Sequence, residues 1–202
     1  MLRHLALLTT TLQARFMCVF DGHGGPDVAE YVARALPAAV DAELMQLAPN
    51  ASTSSVEDAI SRAFVALDAR LSADMMKPGS EALRRPGSCA LLAVERSGWL
   101  HVAHAGDCRA VVTCGKGDRI LLATRDHNAK EAAEQQQLRA AHPGEDDVVV
   151  RSLDSRFPSI FLRVSPAFTL YSCLAPFRFA STPPPATSKD VCSPLELSGT
   201  SI

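Results

Sequence analysis

Apolar and polar positions change period twice along the chain. Phe16-Met17-Cys18-Val19-Phe20 is a continuous apolar run cut off by Asp21-Gly22-His23-Gly24-Gly25-Pro26. That pattern predicts a buried strand leaving the core into a tight loop. Val28, Tyr31, Val32, Ala35, Leu36, Ala39 and Val40 then recur at helical spacing on one face, with Asp27 at the positive N-terminal end. Pro37 is expected to kink or divide this helix. A second helix follows: Ser54 with Glu57 reads as a capping box, and Val56, Ile60, Phe64, Leu67 and Leu71 form its apolar stripe. The prolines and glycine of 77–86 predict a loop.

From Gly87 the period shortens. Residues 89–94, 100–105, 110–114 and 120–123 are strand-sized apolar runs separated by Ser97-Gly98, Gly106-Asp107 and the 115–118 segment, a pattern that predicts an antiparallel meander. Asn128 with Glu131 predicts the start of a third helix, running to about 141 and stopped by His142-Pro143-Gly144. Beyond 152 no period of 2 or 3.6 is sustained, and seven of the 13 prolines fall there. The expected organisation is an N-terminal segment at 1–14, a domain at 15–152, and a Pro-rich irregular tail at 153–202.

Composition narrows the function classes. The 202 residues are 47% hydrophobic and 21% charged, with a formal net charge of −2. These values fit one globular domain with an appendage, and they provide no basic field for nucleic acid or an anionic membrane. No apolar run approaches the roughly 18 residues of a spanning helix. The six cysteines include no CxxC pair and several sit in apolar runs, which reads as reduced thiols in an intracellular, reducing compartment. Cys108 and Cys114 are placed so that they could approach each other across a hairpin. Arg3, His4 and Arg15 among threonines, with no acid before Asp21, suggest a mitochondrial transit segment; an ordinary first element of a cytoplasmic protein fits equally well.

The residues able to carry chemistry cluster in two turns. Asp21 and the Gly22 carbonyl present oxygens suited to a hard divalent cation, and His23 can hand on a proton near neutral pH. An ordinary Asp-Gly turn is the structural alternative. Asp107, in Gly106-Asp107-Cys108-Arg109, can either pair with Arg109 or face a shared metal site. Asp126-His127-Asn128 looks ligand-like, although helix capping by Asn128 accounts for it more simply.

Four stretches, taken in order, resemble a known family: Phe-Met-Cys-Val-Phe-Asp-Gly-His-Gly-Gly at 16–25, Pro86-Gly87-Ser88-Cys89-Ala90, Val-Ala-His-Ala-Gly-Asp-Cys-Arg-Ala at 102–110, and Thr124-Arg125-Asp126-His127-Asn128. Their spacing over about 15–151 is similar to that of the metal-dependent protein phosphatases of the 2C type. Asp126 to Ala129, Glu131, Glu134, His142-Pro143 and Val148 to Val150 look most like the pyruvate dehydrogenase phosphatase branch. The resemblance implies an α+β fold, an α-β-β-α sandwich of stacked antiparallel sheets flanked by helices, here incomplete. It implies phosphoserine and phosphothreonine proteins as substrates, the pyruvate dehydrogenase complex as a candidate partner, and the mitochondrial matrix as a candidate location.

The same resemblance implies two or more Mg²⁺ or Mn²⁺ ions, with Asp21 bridging, Gly22 lending its carbonyl, Asp107 serving a further metal, and His23 protonating the leaving oxygen. The chain also departs from the family pattern. Cys89 stands where Thr is usual and Cys108 where Ser is usual, so weaker hydrogen bonds are expected there. No arginine-and-acid strand is evident in 1–13, and Arg15 lies too near the loop to be carried over as the phosphate-binding arginine. The only acids after 152 are Asp154, Asp190 and Glu196, none in an Asp-Gly or Asp-Asn context. The expectation is therefore a truncated phosphatase domain, with a catalytically inactive binding or regulatory module, or a non-functional fragment, as the alternative.

Overall fold

The computed structural model describes residues 4–11, 14–79, 86–114, 119–127, 131–144, 149–151, 160–162, 180–182 and 196–198. Strand β1 (His4–Thr10) pairs antiparallel with β2 (Arg15–His23), which is followed by helices α1 (Asp27–Leu44) and α2 (Thr53–Met75). Strands β3 (Gly87–Arg96), β4 (Trp99–Ala105), β5 (Arg109–Cys114) and β6 (Arg119–Ala123) come next, then α3 (Ala132–Ala141). Four three-residue strands complete the order: β7 (Val149–Arg151), β8 (Ile160–Leu162), β9 (Ala180–Thr182) and β10 (Glu196–Ser198). The first sheet runs β1-β2-β3-β4-β9, the second β10-β5-β6, and β7 pairs with β8.

The predicted strand at 16–20 is buried on both faces, as its unbroken apolar run demands. Phe16, Cys18 and Phe20 turn toward α1 and α2, joined there by Ala90, Leu92 and Val94 of β3. Met17, Val19, Cys89, Leu91, Ala93 and Val102 face the other way and meet Cys108, Ala110 and Leu122 of the second sheet region. The strand period of two thus divides the apolar residues between a helix-to-sheet layer and a sheet-to-sheet layer. The architecture is α+β with stacked antiparallel sheets.

Several expectations are corrected. The meander is interrupted: β3 and β4 pair in the first sheet, and the Gly106-Asp107-Cys108 turn carries the chain across to the second, where β5 pairs with β6. Alternation alone is identical for both arrangements, because it records only which side chains are buried. Pro37 does not divide α1, which continues to Leu44. The missing hydrogen bond and ring clash cost about 3 kcal/mol, while burial of Val32, Leu36, Val40 and Leu44 contributes about 1.5–3 kcal/mol each. The cap of α2 is Ser52, whose Oγ accepts from the Ser55 amide at 3.1 Å, rather than Ser54.

Within the expected N-terminal segment, His4–Thr10 forms β1, which satisfies the outer edge of β2. The tail expected to be irregular contributes β9, paired with β4, and β10, paired with β5. Three-residue strands are too short to leave a period in the sequence. Helix α3 occupies its predicted place, while Asn128, its expected cap, lies outside the described residues. Among the described residues, no helix is long and apolar enough to cross a membrane.

Candidate functional site

Strand parity builds the site. Asp21 and His23 share the face of β2 that carries Met17 and Val19, so they emerge at the rim of the space between the sheets. In register, Asp21 lies opposite Cys89, Gly22 opposite Ser88, and His23 opposite Gly87. Asp21 is 5% exposed, Gly22 is buried, and His23 is exposed. The buried Ser88 hydroxyl lies 2.7 Å from the Cys89 carbonyl and 3.3 Å from the Asp21 carbonyl, which fixes the backbone where the strand ends. Carboxylate and imidazole are therefore held by a paired strand rather than by a loose loop.

Asp107 reaches the same region by a different route. Ala105 pairs with Ala90, and Gly106, at φ +93°, turns the chain out of β4. Only a residue without a Cβ fits here: a Cβ at Gly106 would overlap Cys89 Sγ and lie 2.7 Å from Cys89 Cβ. The turn places Asp107 Oδ1 3.3 Å from Cys89 Sγ, which donates to it. Cys89 thus stands between Asp21 on one side and Asp107 on the other, and its thiol supplies a hydrogen bond in the place expected for a hydroxyl.

Of the two alternatives for Asp107, pairing with Arg109 is not seen. The Arg109 Nε and Nη2 donate to Asp126 Oδ1 at 3.0 and 2.7 Å, so Arg109 belongs to Asp126. Next to that pair, His104 and His127 stack with centroids 4.3 Å apart and planes at 24°. The His127 amide donates to the Gly106 carbonyl at 2.9 Å. Both imidazoles are buried, and burial, followed by the neighbouring His127, lowers the His104 pKa to about 4. The Asp126-His127 segment therefore braces the Gly106-Asp107 turn from the second sheet, a role that sequence reading missed because the contact is long-range.

The remaining candidates are placed elsewhere. Arg15 sits at the far end of β2, roughly 20 Å from Asp21 along an extended strand, and its guanidinium pairs with Glu95 at 2.6 Å. Cys18, Cys89 and Cys108 form no disulfide. Burial pushes the Cys18 thiol up to about 12, consistent with an inert core residue. Cys108 is buried between the sheets, and the Cys114 side chain lies outside the described residues.

Two carboxylates and a backbone carbonyl suit a hard divalent ion in donor type, since such ions take oxygen ligands. In number they are sparse: among the described residues there is no group of three or more His, Cys, Asp or Glu able to hold a metal. An ion here would keep most of its coordination as water, as Mg²⁺ commonly does.

Comparison with known proteins identifies the family and the fold. The Protein phosphatase 2C family model matches residues 4–189, and the chain belongs to that family. Similar curated proteins include Probable protein phosphatase 2C 43 of Oryza sativa subsp. japonica, 35% identical over 149 residues, 70% of this chain and 36% of the relative. Probable protein phosphatase 2C 30 of Arabidopsis thaliana is 36% identical over 125 residues, 62% of this chain and 30% of the relative. The chain thus spans about a third of the length of these relatives. Among solved structures, a C. elegans sex determining protein superimposes with a TM-score of 0.62 at 21% identity, covering 88% of this chain and 41% of that one. The serine-threonine phosphatase 2C from Toxoplasma gondii gives 0.55 at 16% identity, covering 88% and 66%. At such identities the superpositions speak for the fold.

Proposed function

We propose that this chain carries the reaction centre of a metal-dependent protein serine/threonine phosphatase, acting on phosphoserine and phosphothreonine side chains, with residues 15–152 as the unit that bears the chemistry. One observation carries the reading: Asp21, Gly22 and His23 follow one another where a buried strand opens onto the inter-sheet rim, and Asp107 reaches the same rim through Cys89.

In this reading the Asp21 carboxylate and Gly22 carbonyl hold one Mg²⁺ or Mn²⁺, and Asp107 contributes to a further ion. Bound there, a divalent ion lowers the pKa of its water and polarises phosphoryl oxygens. Asp21 is buried, and in a low-dielectric rim the attraction between a carboxylate and a cation is less screened than at an exposed site. Exposed His23 stands at the mouth, where a phosphorylated side chain would arrive. It donates a proton to the departing serine or threonine oxygen, a poor leaving group as an alkoxide. Cys89 and the His104–His127 stack hold the Asp107 turn in place.

Assignment to the pyruvate dehydrogenase phosphatase branch, and with it to the mitochondrial matrix, rests on the 126–150 motifs and the basic N-terminus alone. A non-catalytic binding module is the second reading, motivated by the small number of carboxylates at the site among the described residues. Mn²⁺-dependent phosphate release from a phosphoserine peptide separates the two. Turnover abolished by Asp21→Asn supports the phosphatase, and a folded chain without turnover supports the module.

A further inference from the structure

The imidazole of His23 lies on a bare patch of backbone. His23 and Gly87 face each other in the β2–β3 register. A Cβ at Gly87 would overlap His23 Nε2, lie 2.8 Å from Cε1 and 3.2 Å from Cδ2, and these three ring atoms are its nearest neighbours. The ring therefore occupies the volume that any other residue would fill at position 87. Next in the chain, Pro86 performs the matching service for the loop: a Cβ at Gly25 would fall 3.1 Å from Pro86 Cγ. Pro86 and Gly87 together lie against Gly25 and His23.

This contact answers a question of physical chemistry. An exposed imidazole at the end of a strand ordinarily samples several rotamers, and a proton donor displaced by about 1 Å can lose on the order of 100-fold in rate. Among the described residues, no hydrogen-bond partner fixes the His23 ring. The flat face of a glycine in a paired strand restrains the ring from one side while leaving its other side and its edge open to substrate.

We infer that Gly87 is the positioning residue for His23, selecting by its missing side chain the one imidazole orientation that addresses a phosphorylated side chain. The inference rests on the reading of His23 as proton donor. A methyl at position 87 lifts the ring away from the strand and misdirects its N–H.

The test uses the full chain and has three readouts. In solution NMR, the His23 ring protons are expected to show NOEs to the Gly87 Hα pair, with a Gly87 ring-current shift that disappears in His23→Ala; absence of both overturns the inference. In thermal unfolding, Gly87→Ala is expected to be destabilised, and the double variant Gly87→Ala with His23→Ala is expected to regain the stability of His23→Ala. A double variant as damaged as Gly87→Ala means the methyl collides elsewhere, which also overturns it.

In turnover, Gly87→Ala is expected to lose at least about tenfold on a phosphoserine peptide while staying within about threefold on an aryl phosphate, whose phenolate leaves without a proton. Equal loss on both substrates overturns the positioning role. If His23→Ala itself shows no difference between the two substrates, the proton-donor reading fails, while the NOE contact and the stability cycle still report on Gly87. The two failures are thereby distinct.

Discussion

The imidazoles of His104 and His127 stack 4.3 Å apart in the space between the sheets, binding the end of β4 to the segment that leaves β6. Because burial lowers the His104 pKa to about 4 from its ordinary 6.5, the unfolded chain binds more protons than the folded one between those values. Stability is therefore whole above about pH 6.5 and declines as pH falls toward 4, by roughly 3 kcal/mol from this group. Burial lowers the His101 pKa too, which adds to the decline in the same direction. Urea unfolding between pH 4 and 8 should show this slope, and His104→Gln should flatten it in part. A stability that rises on acidification would contradict the buried, neutral stack.

Gly106 and Gly79 both have positive φ, at +93° and +83°. A Cβ at Gly79 meets nothing within 4 Å, whereas one at Gly106 overlaps Cys89 Sγ. Gly79→Ala should cost only the left-handed backbone penalty of about 1–2 kcal/mol. Gly106→Ala should cost clearly more, by roughly another 1–3 kcal/mol of overpacking, and should weaken Mn²⁺ binding because Asp107 is displaced with the turn. Chemical denaturation and a Mn²⁺ titration on the two variants check this pair.

Ser52 is the cap of α2, and the substitution pattern should show it. Ser52→Ala should lose about 1 kcal/mol in urea unfolding, whereas Ser54→Ala should lose less than about 0.5 kcal/mol, as expected of an exposed site. The reverse order would restore the Ser54-Glu57 box.

This cap also illustrates what the sequence could and could not specify. Ser52, Ser54 and Ser55 are all competent caps, and only the backbone at Ser52, extended at φ −63° and ψ 156°, selects among them. Residues adjacent in sequence were legible: a carboxylate, a carbonyl and an imidazole at Asp21-Gly22-His23 need no tertiary information to be seen together. The contact of Asp107 with Cys89 spans 18 positions and requires the β3–β4 pairing; the Arg109–Asp126 pair requires the crossing to the second sheet. Gly87 stands in one of the four stretches that carry the resemblance, but its closeness to the His23 ring requires the β2–β3 pairing and leaves no mark in the sequence. The strands were visible in the apolar runs, but their division between two sheets was not.

On the proposed function, Asp21 holds a divalent cation at the rim between the sheets. Mn²⁺ binding to the purified chain, followed by the loss of the free-ion electron paramagnetic resonance signal, tests it without reference to turnover. Asp21→Asn, nearly isosteric but uncharged, should raise the dissociation constant by at least about tenfold, since hard divalent ions depend on charged oxygen ligands. Asp126→Asn, whose carboxylate is engaged by Arg109, should leave it within about twofold. Equal affinity in the wild-type chain and Asp21→Asn would contradict the claim.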